Sequence, residues 1–327
     1  MKAIIPVAGI GTRLRPHTHT VPKALVQVAG KPILGHILDQ LVPLGVRDVV
    51  LVTGYMGDRV EDYIASAYPD LTPCYVRQDE LRGLGHAIWL TRECATDGPA
   101  IIVLGDTVVT ADFPALLRGS HTLIGVKEVE EPKLFGVVEV DGDRVVSLVE
   151  KPDVPPSNLA IVGLYYFVNS RLLFECLDEV IRSDIRTKGE YQLTDALKLM
   201  LERGEDMRTF PVEGWHDCGR PETLLETNRF LLSRSAANHV EIPGCIIVPP
   251  VSIDPTAVIE RSVVGPYVSV AAGSTIRGSI VRDSILNANA RVEWSLLDQS
   301  LIGENALVRG SFQRLNVGDS SEIEIGA

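Results

Sequence analysis

The stretch Ala3-Ile4-Ile5-Pro6-Val7-Ala8-Gly9-Ile10-Gly11-Thr12-Arg13-Leu14 decides how the rest of the chain reads. Its first half is a short apolar run suited to a strand buried on both faces. The strand ends near Ala8. Gly9 and Gly11 then let the backbone turn tightly and aim its N–H groups at an anion. Arg13 offers a planar fork for phosphate oxygens, and Lys23, in Pro22-Lys23-Ala24-Leu25, offers a compact charge. Residues 1–38 contain Lys2, Arg13, Arg15, Lys23 and Lys31 but no Asp or Glu, the first acid being Asp39. Two common phosphate loops do not fit. A Walker A loop needs GxxxxGK[ST], and a dinucleotide fingerprint needs a third glycine where Leu14 stands, with an acid about 20 residues on.

Outward from this segment, residues 1–232 alternate β-rich runs with helical ones. Val49–Thr53 and Ile101–Leu104 read as further buried parallel strands, and helices are expected near Ile33–Leu44, Asp58–Ala67 and Gly85–Thr91. This predicts an α/β fold, a doubly wound, mostly parallel Rossmann-like sheet with its site at the carboxyl ends of the strands. Phe135–Val140 and Arg144–Val149, joined through Asp141-Gly142, read as a hairpin inserted over that sheet. Residues 233–244 are expected to be a linker. Beyond 245 apolar residues recur five or six apart (Ile253, Val258, Val264, Val270, Ile276, Val281), and Ser279, Ser295 and Ser311 align at a period of 16. A helix would space them by three or four, and a β-sandwich would not impose so regular a step. The spacing predicts a three-sided parallel β-helix of the left-handed, hexapeptide-repeat kind over 245–327.

The 327 residues suffice for one large domain and a smaller one, with 45% hydrophobic and 23% charged residues in the ordinary globular range. A formal charge of −12 argues against a nucleic-acid or membrane-surface binder. The five cysteines are scattered and never spaced as CxxC, which reads as free thiols of a reducing, cytoplasmic compartment. Asp106, just past the apolar run Ile101–Leu104, is placed to hold Mg²⁺ at the mouth of the sheet, although an Asp there equally suits a turn or a helix cap.

Gly9-Ile10-Gly11-Thr12-Arg13-Leu14-Arg15-Pro16, Pro22-Lys23-Ala24-Leu25 and Gly30-Lys31-Pro32-Ile33 together resemble the signature of the sugar-nucleotide pyrophosphorylases (sugar-1-phosphate nucleotidylyltransferases), GxGTRLxPLT, PKAL and GKPI. His17 departs from the usual leucine. The resemblance implies an enzyme that joins a nucleoside triphosphate to a sugar 1-phosphate and releases pyrophosphate, with Mg²⁺ as cofactor. It implies that Ala8, Gly9, Gly11, Thr12 and Arg13 bind the nucleotide, and that Gln78 and Gly83, in a segment similar to the family's base-recognition turn, read a pyrimidine edge. His86 in that turn reads as a packing or helix-start residue. Asp217, in Trp215-His216-Asp217-Cys218-Gly219-Arg220-Pro221-Glu222, resembles the family's second metal ligand beside Asp106. Glu150-Lys151-Pro152 is similar to the segment whose lysine meets the sugar's phosphate, and Gly136, Gly163 and Tyr165 look like the sugar-pocket wall.

The resemblance thus makes Arg13, Lys23, Asp106, Lys151 and Asp217 the catalytic set. The whole chain looks like the long-form glucose-1-phosphate thymidylyltransferases, favouring glucose 1-phosphate with dTTP or UTP. A mannose-1-phosphate or N-acetylhexosamine-1-phosphate enzyme stays open, as does a non-catalytic sugar-nucleotide-sensing subunit. Acyl transfer on the β-helix would need a base such as His, and the last histidine is His239. Self-association through the β-helix is expected, with neither membrane nor nucleic acid as partner.

Overall fold

The computed structural model describes residues 1–235 and 241–310. Contacts within the chain cluster into two compact units that divide between Thr227 and Asn228. The division falls inside the last helix of the first unit's sequence, Pro221–Arg234, rather than after residue 232. Residues 236–240 of the expected linker, His239 among them, and 311–327 with Ser311 lie outside the described residues.

The first unit begins with strand β1 (Lys2–Pro6), a small hairpin β2 (Gln27–Val28) and β3 (Lys31–Pro32), and helix α1 (Ile33–Leu41). Then come β4 (Asp48–Thr53), α2 (Gly57–Ala67), β5 (Thr72–Arg77), α3 (Leu84–Leu90), α4 (Arg92–Ala95), β6 (Ala100–Val103), β7 (Thr107–Thr110) and α5 (Phe113–Leu117). The unit continues through β8 (Thr122–Glu128), β9 (Gly136–Asp141), β10 (Arg144–Glu150), β11 (Leu159–Phe167), α6 (Arg171–Arg182), α7 (Leu193–Glu202), β12 (Met207–Pro211), β13 (Gly214–Asp217) and the first half of α8 (Pro221–Arg234), whose residues from Asn228 onward belong to the second unit.

Nine strands form one sheet in the order β5-β4-β1-β6-β11-β8-β12-β10-β9. Strands β5, β4, β1 and β6 run parallel, while β11 is antiparallel to β6 and β8. Ala3, Ile4 and Ile5 are sealed from solvent, as consecutive positions must be when both faces of a strand are covered. The chain winds from β1 out to β5 on one side and returns to β6 on the other. The direction of winding thus reverses between β1 and β6, the place at which a sheet of this kind opens a crevice beyond the carboxyl ends of its strands.

The core on one face joins Ile4, Ile102, Ile124 and Phe167 of the sheet to Leu173, Leu177 and Val180 of α6 and Leu193 and Leu197 of α7. The apolar positions of α6, spaced by three and four, make the stripe that packs there. The predicted hairpin forms as β9 and β10 with Gly142 at φ +65°, and it is bonded into the main sheet on both sides, β10 to β12 and β9 back to β11. The partner of β10, β12, comes from 64 residues away in sequence (Arg144↔Arg208), a long-range contact that local patterning does not show.

The cysteine expectation is corrected at one pair. Cys74 of β5 and Cys94 of α4 are joined as a disulfide, and Cys176, Cys218 and Cys245 are free. The pairing arises because α3 and α4 fold back beside the edge of the sheet, which a separation of 20 residues does not announce.

The second unit holds three four-stranded parallel sheets, the architecture of a three-sided β-helix. Ile259, Ile276, Val292 and Val308 stack in register along one side, and Val264, Val281 and Leu297 along another. The step is 16 residues in the later coils and 17 in the earlier ones, as Ile276↔Val292 and Ile259↔Ile276 illustrate. The aligned serines bond from coil to coil: Ser262 Oγ accepts from Ser279 N at 3.1 Å, and Ser279 Oγ from Ser295 N at 3.1 Å. Asp283, buried, takes both ends of the Arg229 guanidinium. Among the described residues no helix is long and apolar enough to cross a membrane.

Candidate functional site

The segment after β1 leaves the sheet as Val7 N donates to Val52 O at 2.8 Å, then closes into short 3₁₀ turns at Thr12–Leu14, His17–His19 and Lys23–Leu25. Gly11 stands at φ +69°, and a Cβ there would meet Thr18 Cγ2 at 3.0 Å and Lys23 Cβ at 3.1 Å. Thr18 Oγ1 donates to Gly11 O at 2.7 Å and pins the loop against the Lys23 turn. Gly9 needs no such conformation. A Cβ on it would meet nothing, so Gly9 presents bare backbone to open space.

Strand β6 reaches the same place from the other side of the crevice. Gly105 N donates to Pro6 O at 3.2 Å, and a Cβ on Gly105 would lie 2.7 Å from that oxygen, so only glycine lets the two strand ends approach this closely. Asp106 follows, and its Oδ2 accepts from Lys23 Nζ at 2.7 Å. The lysine is buried at 8% exposure while the Asp106 side chain is 42% exposed, so the carboxylate faces the opening.

Strands β7 and β13 pair antiparallel with Thr107 opposite Asp217, and Cys218 N donates to Asp106 O at 3.0 Å. The two aspartates, 111 positions apart, therefore stand side by side. Burial pushes the Asp217 carboxyl above the usual carboxylate range; Lys23 and Arg13 pull it down, and the Asp106 charge pushes it up. That pattern places Arg13, Lys23, Asp106 and Asp217 within one electrostatic neighbourhood.

A cleft of about 550 Å³ occupies the crevice. Ala8, Gly9, Gly11, Thr12, Arg13 and Lys23 line it together with Asp106, Gly219, Leu84 and Glu190. Asp106 lines this cleft and Asp217 stands next to it; carboxylates are the hard oxygen donors that Mg²⁺ takes when phosphates and water complete its shell. A divalent cation would also offset the Asp106 repulsion that adds to the effect of burial on Asp217. The Cys218 sulfur, fully buried, is engaged with Thr227 Oγ1 and His216 O, which keeps the donor set all-oxygen. Among the described residues no cluster of three or more His, Cys, Asp or Glu forms a complete metal cage by itself.

Gln78 and Gly83 lie at the Leu84 side, within the turn that enters α3. Gly83 adopts φ +108°, and its missing Cβ would sit 2.5 Å from Tyr191 O. Gly85 N donates to Tyr191 O at 2.8 Å and Tyr191 N to Arg82 O at 2.9 Å, which staples this turn to residues 190–192. Arg82 and Arg186 lie over the Tyr191 ring, 5.0 and 4.6 Å from its centroid.

A third group gathers around Glu150. Its Oε2 accepts from Thr194 Oγ1 at 2.7 Å, and a Cβ on Gly136 would lie 2.9 Å from the same oxygen. Lys151 Nζ stands 3.5 Å from Glu150 Oε1, its backbone held at φ +41° with its N–H donating to Phe135 O. Tyr165 is 4% exposed; burial raises its phenol pKa, and the Glu150 charge raises it further. Gly163, at φ +80° where the β11 register shifts, packs against the Leu104 side chain and accepts from Leu104 N at 3.0 Å. Its visible task is to seat the end of β6.

The structure thus gathers the first-loop residues with Lys23, Asp106 and Asp217, and separately Gly136, Glu150 and Lys151. Glu190, Leu84 and Thr194 join these groups without having been singled out. Glu190 and Thr194 belong to Glu190-Tyr191-Gln192-Leu193-Thr194-Asp195, a run whose polar residues also suit an ordinary helix start.

Residues 2–234 match the family of nucleotidyl transferases. The chain is 32% identical to the glucose-1-phosphate thymidylyltransferase of Streptomyces antibioticus, across 99% of each chain. It is 34% identical to a UTP–glucose-1-phosphate uridylyltransferase of Haloferax volcanii, over 71% of this chain and 96% of that one. A crystal structure of a UDP-glucose pyrophosphorylase complexed with UDP-glucose superposes with a TM-score of 0.62 at 27% identity, covering 72% of this chain and 99% of that one.

Proposed function

The chain belongs to the nucleotidyl transferase family, and from that premise we propose that it is a sugar-1-phosphate nucleotidylyltransferase acting on glucose 1-phosphate with dTTP or UTP. One observation carries the site: a bare glycine loop, Arg13, Lys23 and Asp106 line one cleft, with Asp217 beside Asp106. The acceptor is already an anionic phosphate, so no general base is needed to create a nucleophile. Catalysis then consists of aligning two mutually repelling anions and stabilising charge on the departing pyrophosphate.

Asp106 and Asp217 would hold Mg²⁺. When bound, the cation would supply positive charge that offsets the repulsion of the phosphates. Arg13 neutralises the leaving pyrophosphate, and the backbone N–H groups from Ala8 to Thr12 cradle the triphosphate. Lys23 and Lys151 hold the acceptor phosphate for in-line attack on the α-phosphorus. Glu150, steadied by Thr194, takes sugar hydroxyls beside Gly136, Gly163 and Tyr165. Gln78 and Gly83 meet the pyrimidine.

We assign catalysis to residues 1–232, a linking role to 233–244 and a bracing role to the β-helix of 245–327, taken as left-handed. Ile246, Ile280 and Leu296, exposed at 62, 46 and 78% on one β-helix face, support self-association there. A cytoplasmic enzyme fits its phosphorylated substrates.

Pyrophosphate release from five nucleoside triphosphates against four sugar 1-phosphates, with Mg²⁺ present, tests the assignment. We expect glucose 1-phosphate with dTTP or UTP to lead, and Arg13→Ala and Asp106→Ala to abolish turnover while the folded signal is kept. Near-normal rates in either variant would rule out this site.

A further inference from the structure

Gln78 follows β5 with its backbone N–H on Thr53 O at 2.8 Å and its side chain 6% exposed. The side-chain Nε2 lies 3.3 Å from Gly83 O and 3.2 Å from His86 Nδ1. A backbone carbonyl can only accept, so the amide must turn its NH₂ end toward Gly83. That end has two hydrogens and nothing with which to accept, so it donates to His86 as well. His86 Nδ1 is therefore a lone pair, and the ring's proton sits on Nε2.

The remaining polar atom of Gln78 is Oε1. Among the described residues it has no hydrogen-bond partner, and it is not sealed from solvent. An oxygen presented this way accepts and cannot donate. The ring nitrogen N3 carries a hydrogen in uracil and thymine and a lone pair in cytosine. An outward Oε1 bonds the first kind and repels the second.

We propose that His86 is a positioning residue which, by accepting from Gln78 at Nδ1, locks the glutamine amide so that only its oxygen faces the nucleobase, selecting uracil- or thymine-type bases over cytosine. This rests on the reading of Gln78 as the base contact given above. The surroundings of His86 suit the role. Its ring is 6% exposed, 5.9 Å from the Trp89 ring in a stacked arrangement and 6.4 Å from Tyr191. Burial lowers its pKa first, Arg82 lowers it further and Glu80 opposes, which keeps the ring neutral with a lone pair to offer. A protonated His86 would donate at Nδ1 and set the ring against the Gln78 amide. The flipped amide would then oppose Gly83 O, so the two anchors agree only when His86 is neutral.

The test uses the full chain with UTP, dTTP and CTP. His86→Leu removes the acceptor at similar volume, and His86→Asn restores an acceptor oxygen near the place of Nδ1. Loss of one net hydrogen bond corresponds to about a fivefold effect. We expect His86→Leu to raise KM for UTP and dTTP about fivefold with kcat within twofold, and to narrow the preference over CTP. His86→Asn should keep the wild-type preference. A His86→Leu preference equal to wild type, or His86→Asn behaving like His86→Leu, would overturn the proposal.

An independent readout is the ¹⁵N spectrum of histidine-labelled protein, with His86 assigned by its absence in His86→Asn. The Nε2–H tautomer is expected, and an Nδ1–H tautomer overturns the lock whether or not the chain turns over. Absence of pyrophosphate release from every substrate pair would instead refute the proposed function, and the tautomer would still decide the role of His86.

Discussion

Replacing Gly83 by alanine should damage stability and nucleotide binding together. At φ +108° and ψ 171° Gly83 occupies a region that L-residues rarely enter, which costs about 1–3 kcal/mol. The new Cβ would also lie 2.5 Å from Tyr191 O, 2.9 Å from Tyr191 N and 2.9 Å from Glu190 Cβ. Two of these are backbone atoms that cannot rotate aside, and overpacking of this kind costs about 1–3 kcal/mol more. The sum is about 2–6 kcal/mol, a large share of the roughly 5–15 kcal/mol that holds an ordinary domain together. The cheaper escape is to lift the turn off residues 190–192, which breaks Gly85 N to Tyr191 O and Tyr191 N to Arg82 O.

Gly204→Ala is the control for this change. Gly204 stands at φ +87° with nothing near a Cβ, so it reports backbone strain alone, about 1–2 kcal/mol. Urea unfolding of both variants, read as midpoint and slope, separates strain from collision. We expect Gly83→Ala to lose at least 1 kcal/mol more than Gly204→Ala and to raise KM for the triphosphate. Equal losses, with triphosphate KM unchanged in both, would refute the argument that this turn is held by close backbone packing.

Thr194→Val removes the hydroxyl that donates to the nearly buried Glu150 carboxylate, a bond worth about 1.5–3 kcal/mol. KM for the sugar phosphate should rise about tenfold or more with triphosphate KM unchanged, measured by varying each substrate in turn. Thiol titration at pH 8 should find Cys245 reactive in the folded chain. Burial raises the Cys176 and Cys218 thiols to about 11 and about 12, so they should react only on unfolding, and Cys74 and Cys94 only after reduction. Ile276→Ala, at a fully buried rung of the β-helix, should cost that unit about 2–5 kcal/mol in thermal or urea unfolding. Turnover per folded molecule should stay near wild type if the β-helix only braces the enzyme.

Much of this molecule follows from local patterning. Apolar β-branched runs bounded by Gly or Asp mark β1, β4 and β6, because strands covered on both faces tolerate little else. The 16-residue recurrence of Ser279 and Ser295 shows the β-helix because equivalent positions of successive coils must share one chemistry, down to the serine-to-backbone bonds. The acid-free basic stretch around Gly9 and Gly11 is legible as a cleft-lining loop for the same kind of reason: its chemistry is continuous in the chain. Other features depend on elements far apart in sequence, and no short window contains them. The β7–β13 ribbon brings Asp217 beside Asp106, Thr194 reaches Glu150 from the start of α7, and Cys94 meets Cys74 once α4 folds against the sheet edge. The orientation of the Gln78 amide is of this second kind. Residue types list which groups can donate or accept, but only the placement of Gly83 O and His86 Nδ1 leaves one oxygen facing outward.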